Sequence, residues 1–312
     1  MPILVPNGLP AYDTLKDENV FVMYKDRAQS QEIRPLKIAI VNLMPIKEIT
    51  ETQLIRMLAN TPLQVNLELL TLSTHESKHT NRLHMDTFYR TFDQIREERF
   101  DGIIITGAPV ETLPFEDVDY WSELKAIMDY SRTNVFSTLH LCWGAQAAMY
   151  YHFGINKEVL PQKIFGVFEH SVIDKRSEFV RGFDEYFYAP HSRYTQLPRK
   201  AVAADPRLNI LAESDEAGLH IVETRDKRML FLQGHFEYDW DTLKLEYDRD
   251  KTRGLDVEVP ANYFKDDDPK KWVVMKWSGH ANLFFANWLN FVYQETPYDL
   301  KELDNYWKAA GI

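Results

Sequence analysis

Short, almost unbroken apolar runs alternate with segments of helical spacing over the first half of this chain, and that alternation limits the fold more than any other feature. The run at 36–43 (LKIAIVNL) lacks the polar residue at every second position that a sheet with one wet face requires. It predicts a strand buried on both faces. Beyond Pro45, residues Ile49, Leu54, Ile55 and Leu58 recur at helical spacing. A second strand is expected at 65–72 and a helix at 86–99. A third strand at 101–106 (DGIIIT) ends in a Gly107-Ala108-Pro109 loop, and a helix follows at 121–130. The fourth strand, 135–141, runs straight into a helix at 144–152 (GAQAAMYYH). Strands alternating with helices imply parallel strands joined by crossovers, so the expected fold is α/β with a doubly wound, mostly parallel sheet.

Past residue 160 the pattern changes. Shorter strand candidates at 164–168, 210–213, 219–223 and 229–232 suggest a β-rich extension of the first sheet, and helices at 240–250 and 280–293 close the fold. Residues 254–275, rich in Asp, Lys and Pro, read as a loop. The reading is a polar arm over 1–35 and a single domain over 36–312 with a C-terminal extension.

Composition narrows the function. With one cysteine, Cys142, the chain has no internal disulfide and no multi-thiolate metal site, which fits a reducing cytoplasm. The first twenty residues have no basic start and no long apolar core, so they do not read as a signal peptide, and no apolar stretch is long enough for a membrane span. A net charge of −11 argues against a nucleic-acid surface. An anionic substrate would need local cations; Lys47, Lys163, Arg193, Arg249, Lys251 and Arg253 are candidates.

In parallel α/β sheets, ligands collect at the carboxyl ends of strands. Three such ends carry reactive-looking residues. In Leu139-His140-Leu141-Cys142-Trp143-Gly144, an apolar strand turns at a cysteine into a small-residue helix. A tight strand-to-helix turn exposes a nucleophile and aims the next backbone N–H at a developing oxyanion, and a helix amino terminus favours a thiolate. A lone cysteine is more often a buried hydrophobe; its place at a strand end reverses that expectation. In Gly234-His235-Phe236-Glu237, residues i and i+2 of an extended segment face one side, so His235 can serve as base and Glu237 as its orienting partner. The Thr106-Gly107-Ala108-Pro109-Val110-Glu111 loop can add N–H groups to an oxyanion site. No Walker A loop, dinucleotide fingerprint or zinc spacing is present, and His170 and His191, isolated in sequence, read as structural.

The Cys-Trp-Gly-Ala-Gln turn, the Gly-His-Phe-Glu segment and the Thr-Gly-Ala-Pro loop resemble the flavodoxin-like architecture of class I glutamine amidotransferases, which use Cys, His and Glu in this order. His140 stands where that class usually has glycine, and no ammonia-accepting module follows. The chain is more closely similar to the homoserine O-acyltransferase family, through MPILVPNGLPA, ENVFVM, QEIRPLKIAIVNLMP, FDGIIITGAPVE, CWGAQAA, APHSRY, GHFEYD and TPYDL. That resemblance implies Cys142 as the acyl-thioester nucleophile, His235 as proton acceptor and Glu237 as its partner. It implies Lys163, Ser192 and Arg249 as substrate-binding residues, with Lys47 and Trp143 as secondary candidates. It also implies L-homoserine and an acyl-CoA as substrates, a homodimer, and neither metal nor bound cofactor. Succinyl users in the family look like glycine at the position of Glu111, so Glu111 favours acetyl-CoA: a fixed carboxylate repels the terminal carboxylate of a succinyl group. Succinyl transfer, and a Cys-His-Glu hydrolase or amidotransferase, are the alternatives.

Overall fold

The computed structural model describes residues 3–17, 22–24, 34–74 and 80–310. Twelve strands form one sheet: β1 (Ile3–Val5), β2 (Val22–Tyr24), β3 (Leu36–Val41), β4 (Val65–Thr71), β5 (Tyr89–Thr91), β6 (Phe100–Ile105), β7 (Val135–Leu141), β8 (Glu158–Val172), β9 (Tyr186–Gln196), β10 (Leu208–Ser214), β11 (Gly218–Thr224) and β12 (Met229–Leu232). Their spatial order is β2-β1-β4-β3-β6-β7-β12-β11-β10-β8-β9, with β5 also paired to β4. Pairing is parallel from β2 through β12 and antiparallel from β12 through β9.

The five longest described helices are α1 (Lys47–Ala59), α2 (Trp121–Asn134), α3 (Trp143–Phe153), α4 (Thr242–Thr252) and α5 (Ser278–Glu295). The alternation within β3 explains the layering. Ile38 and Ile40 pack with Leu54, Ile55 and Leu58 of α1 and Phe284 and Trp288 of α5 on one face. Ala39 and Val41 pack with Leu124 and Met128 of α2 and Ala148 of α3 on the other. Both faces of the parallel strands are thus dry, as their apolar runs require.

Three expectations are corrected. Residues 1–35 are not wholly an arm: β1 and β2 prolong the sheet beside β4, and Val5, Leu9 and Leu15 are buried. Residues 1–2, 18–21 and 25–33 of that segment lie outside the described residues. The helix expected at 86–99 is split. A helix at Arg82–Phe88 stops where Tyr89–Thr91 pairs with Leu69–Thr71, and Thr91 with Gln94 forms a capping box that starts a new short helix. The β-rich extension is longer than expected, because β8 runs fifteen residues and β9 was not anticipated at all. Pro190 in β9 argues against a central strand, but β9 is the edge of the sheet, where proline is tolerated.

Candidate active site

Register brings the three sequence signals together. Leu141 of β7 pairs with Leu232 of β12, and His140 pairs with Ile105 of β6, so Cys142, Gln233 and Thr106 leave three adjacent strands at the same edge. Cys142 adopts φ 47° and ψ −114°, a conformation an L-residue holds at a cost of about 1–3 kcal/mol. Its N–H donates to the Leu232 carbonyl at 2.6 Å, and its own carbonyl accepts from Ala145 and Gln146 at 3.0 and 3.1 Å. The turn is thereby fixed on both sides, with the cysteine as N-cap of α3. Gly144 is required here: a Cβ would sit 2.6 Å from the Thr106 carbonyl oxygen and 2.8 Å from that of Ile105. From the neighbouring loop, a Cβ on Gly107 would lie 3.3 Å from the Cys142 Cβ and 3.8 Å from the Trp143 nitrogen, so this loop and the start of α3 flank Cys142.

His235 follows β12. Its N–H donates to the Pro190 carbonyl at 2.8 Å, its ring stacks on Tyr238 at 4.1 Å, and its Nδ1 lies 2.7 Å from Glu237 Oε1. The acceptor-only carboxylate places the hydrogen on Nδ1 and leaves Nε2 for other partners. Burial alone would depress this imidazole. The negative charges of Cys142 and Glu237, with hydrogen bonds to both, outweigh burial and hold it well above its usual range. At rest the imidazole is therefore held in its protonated form beside Cys142.

Cys142 and His235 open onto a cleft of about 380 Å3. Lys163, Ser192 and Arg249 all line it, so β8, β9 and α4 bring together residues 86 positions apart in sequence (249 − 163 = 86). The Ser192 hydroxyl donates to Glu246 Oε2 at 2.5 Å, Tyr238 donates to Glu246 Oε1 at 3.1 Å, and Lys163 Nζ lies 3.6 Å from Glu246 and 3.9 Å from Asp250. Arg249 uses Nε to bond Asp250 at 2.7 Å. Glu111 lines the same cleft. Sequence reasoning missed Glu246, Asp250 and Tyr194. Glu246 was within reach of it, since it lies three residues before Arg249 on one helix and hence on the same face.

Two candidates stand apart. Lys47 does not line the cleft, although Met44 and Pro45 do. It is buried, its ammonium donates to the Asn42 carbonyl, and burial pushes it down to about 8 against the pull of Glu51. The Trp143 side chain is fully buried, tilted against Phe115 at 5.9 Å, so only its backbone can face the cleft.

Among the described residues, one cluster has metal-like spacing: His170, His191 and His220, all buried, with ligand atoms within 4.8 Å of one another. Its hydrogen bonds do not suit a metal. Arg193 Nε donates to His191 Nδ1 at 3.3 Å, and the Gly234 N–H donates to His220 Nδ1 at 3.1 Å. In the neutral rings both Nε2 atoms therefore carry hydrogens. His191 Nε2 donates to His170 Nε2 at 3.0 Å, and His170 Nδ1 donates to the Phe168 carbonyl at 2.9 Å. Only one of the three rings keeps a lone pair inward. The cluster is packing beneath Gly234 and His235.

Cys142, His235 and Glu237 thus gather at one edge of a sheet of the class I glutamine amidotransferase-like architecture. A solved glutamine amidotransferase from Thermotoga maritima shares this fold, with a TM-score of 0.54 over 83% of this chain and 99% of that one, at 10% identity. Within that class the chain belongs to the family described as homoserine O-succinyltransferase, whose model matches residues 2–298. It is 57% identical over 302 residues to a homoserine O-acetyltransferase of Clostridium novyi, covering 96% of this chain and 100% of the relative. It is 56% identical over 305 residues to a homoserine O-acetyltransferase of Petrotoga mobilis, covering 97% and 99%. No described helix is long and apolar enough to cross a membrane.

Proposed function

We propose that this enzyme transfers the acetyl group of acetyl-CoA to the hydroxyl of L-homoserine, giving O-acetyl-L-homoserine and CoA. The observation that carries the reading is the buried Cys142, His235 and Glu237 array opening onto a cleft that also presents Lys163, Ser192, Arg249 and Glu111. The Cys142 thiolate attacks the thioester carbonyl, and N–H groups at Trp143 and the Gly107 loop receive the oxyanion. The carbon–sulfur bond to CoA breaks, and His235 gives its proton to the departing thiolate.

Acylation removes the Cys142 charge, one of the two that keep His235 protonated. With only Glu237 left to oppose burial, the ring becomes a base when the second step needs one. It takes the homoserine hydroxyl proton as that oxygen attacks the acetyl-enzyme, and the Cys142 thiolate leaves. Homoserine is held through its carboxylate by Arg249 and Lys163 and through its ammonium by Glu246, charge-assisted contacts that match its two ends.

Glu111 supports acetyl over succinyl, because a carboxylate fixed in the cleft opposes a second one on the acyl group. The similar proteins of Clostridium novyi and Petrotoga mobilis are homoserine O-acetyltransferases, which supports the same donor. The lone cysteine is consistent with a reducing cytoplasm, and the reading includes a homodimer and no bound cofactor. The test is turnover of homoserine with acetyl-CoA and succinyl-CoA side by side, with Cys142→Ala as control. Acetyl-CoA should be preferred and the variant inactive. Equal use of succinyl-CoA overturns the donor, and full activity of Cys142→Ala overturns the scheme.

A further inference from the structure

Glu111 belongs to the loop after β6, yet its carboxylate is held by β9. Oε2 accepts from the Tyr194 backbone N–H at 2.9 Å and lies 3.1 Å from the Thr195 hydroxyl. That hydroxyl also lies 2.8 Å from the side-chain amide of Gln146, which contacts the amide of Gln233 at 3.2 Å. Thr195, Gln146 and Gln233 are all buried.

The direction of these bonds follows from their chemistry. A threonine hydroxyl has one hydrogen, and a carboxylate only accepts. The hydrogen therefore goes to Glu111, and Gln146 must turn its NH2 towards Thr195 Oγ1. The Gln146 oxygen then faces Gln233, which must present its own NH2. With the amides as the structure places them, Thr195 facing Gln146 Oε1 and Gln146 Nε2 donating to Gln233 Oε1, Thr195 owes its hydrogen to two acceptors and the Gln233 NH2 is buried with no partner, so both amides are assigned the other way round. An orphaned carbonyl is the lesser cost, and the two ends of a carboxamide are assigned by their network. A single donor chain thus runs Gln233, Gln146, Thr195, Glu111. Its inner members belong to the elements that hold the chemistry: Gln146 donates its backbone N–H to the Cys142 carbonyl, and Gln233 lies two residues before His235.

We propose that Thr195 and Gln146 are positioning residues for donor choice, holding the Glu111 carboxylate where it excludes an acyl group with a terminal carboxylate. The inference rests on the donor reading above. Without the Thr195 hydroxyl, Glu111 keeps one hydrogen bond, from the Tyr194 N–H, beside the charges of Lys157 and Arg193, and can swing aside.

The experiment measures kcat/KM with acetyl-CoA and with succinyl-CoA for the intact enzyme, Thr195→Val, Thr195→Ser, Glu111→Gly, and Glu111→Gly with Thr195→Val. Thr195→Val should cut the acetyl-to-succinyl ratio by about tenfold, the scale of one hydrogen bond to a charged group. Thr195→Ser should keep the ratio, and in the Glu111→Gly background Thr195→Val should not move it further. An unchanged ratio in Thr195→Val, with Glu111→Gly shifting it, overturns this inference alone. An equal shift in both backgrounds also overturns it, since Thr195 would then act without Glu111. If Glu111→Gly itself leaves the ratio unmoved, the donor reading falls and takes this inference with it. Should Thr195→Val not fold, Gln146→Met carries the same comparison.

Discussion

The parallel half of the sheet and its antiparallel extension contribute different groups to one cleft. From the parallel half, at the ends of β6, β7 and β12, come Cys142, His235 and the backbone around them. From β8, β9 and the helix α4 come Lys163, Ser192, Glu246 and Arg249. Parallel strands buried on both faces fix a turn rigidly, and Cys142 needs that support to keep a positive φ. The extension has an exposed edge and polar side chains, which suits recognition of a small zwitterion. On the proposed reading this is a division of labour: bond-making sits where the backbone is most constrained, and substrate recognition on the polar side chains of the extension. Around the cleft the halves meet in bonds from His235 to the Pro190 carbonyl, from Tyr194 and Thr195 to Glu111, and between Thr195 and Gln146.

The largest effect expected on this comparison comes from Glu237→Gln. It strips His235 of one of its two supporting charges, and turnover should fall about 10^4-fold, the loss seen when a triad carboxylate is neutralised. The alkaline limb of the pH profile for acetyl-enzyme formation should also move to lower pH, because the imidazolium is held less firmly. An unmoved limb would mean that Glu237 only shapes the pocket.

A smaller effect should separate the halves. Arg249→Lys loses the planar fork and should raise the KM for homoserine about tenfold. Single-turnover formation of the acetyl-enzyme, read as mass added to Cys142, should proceed as before. If that half-reaction slows in step, the division of labour is wrong.

The smallest effect at neutral pH concerns acid. Burial pushes His170 to about 3 and His191 and His220 well below their usual range, and all three lie in the antiparallel extension. These folded-state values are depressed, so the unfolded chain binds protons first. Stability is intact above about pH 6.5 and is lost as pH falls towards the folded values, by up to about 1.4 kcal/mol per pH unit for each ring. Among the parallel strands His140 is likewise pushed to about 3, but it is one ring against three. Hydrogen exchange at pH 5 should therefore open β8 to β11 before β3 to β7. Opening in the reverse order would break the comparison from the other side.

The same division explains what could be read from the chain. The run into Cys142 and the segment from His235 to Glu237 were legible because each is local: an apolar strand, a turn, and reactive groups within a few residues. The strand β9 was not, because Pro190 and its polar neighbours mimic a loop, and only the sheet edge makes a strand there acceptable. Nor could the chain show that Thr195 touches both Gln146, 49 residues away, and Glu111, 84 residues away. Such contacts depend on register between distant strands. The burial of Lys47 was equally hidden, since a lysine just past a strand end reads as a solvated cation.

Glu111 is half-buried and its carboxylate is anchored by groups that remain in place whatever residue replaces it: one backbone N–H and one hydroxyl. Neither is part of the apolar packing of either sheet face. A glutamate codon becomes a glycine codon by a single base change. On the donor reading proposed above, donor choice in this architecture is easily revised in evolution, and a lineage can exchange one acyl donor for another without passing through an unfolded ancestor.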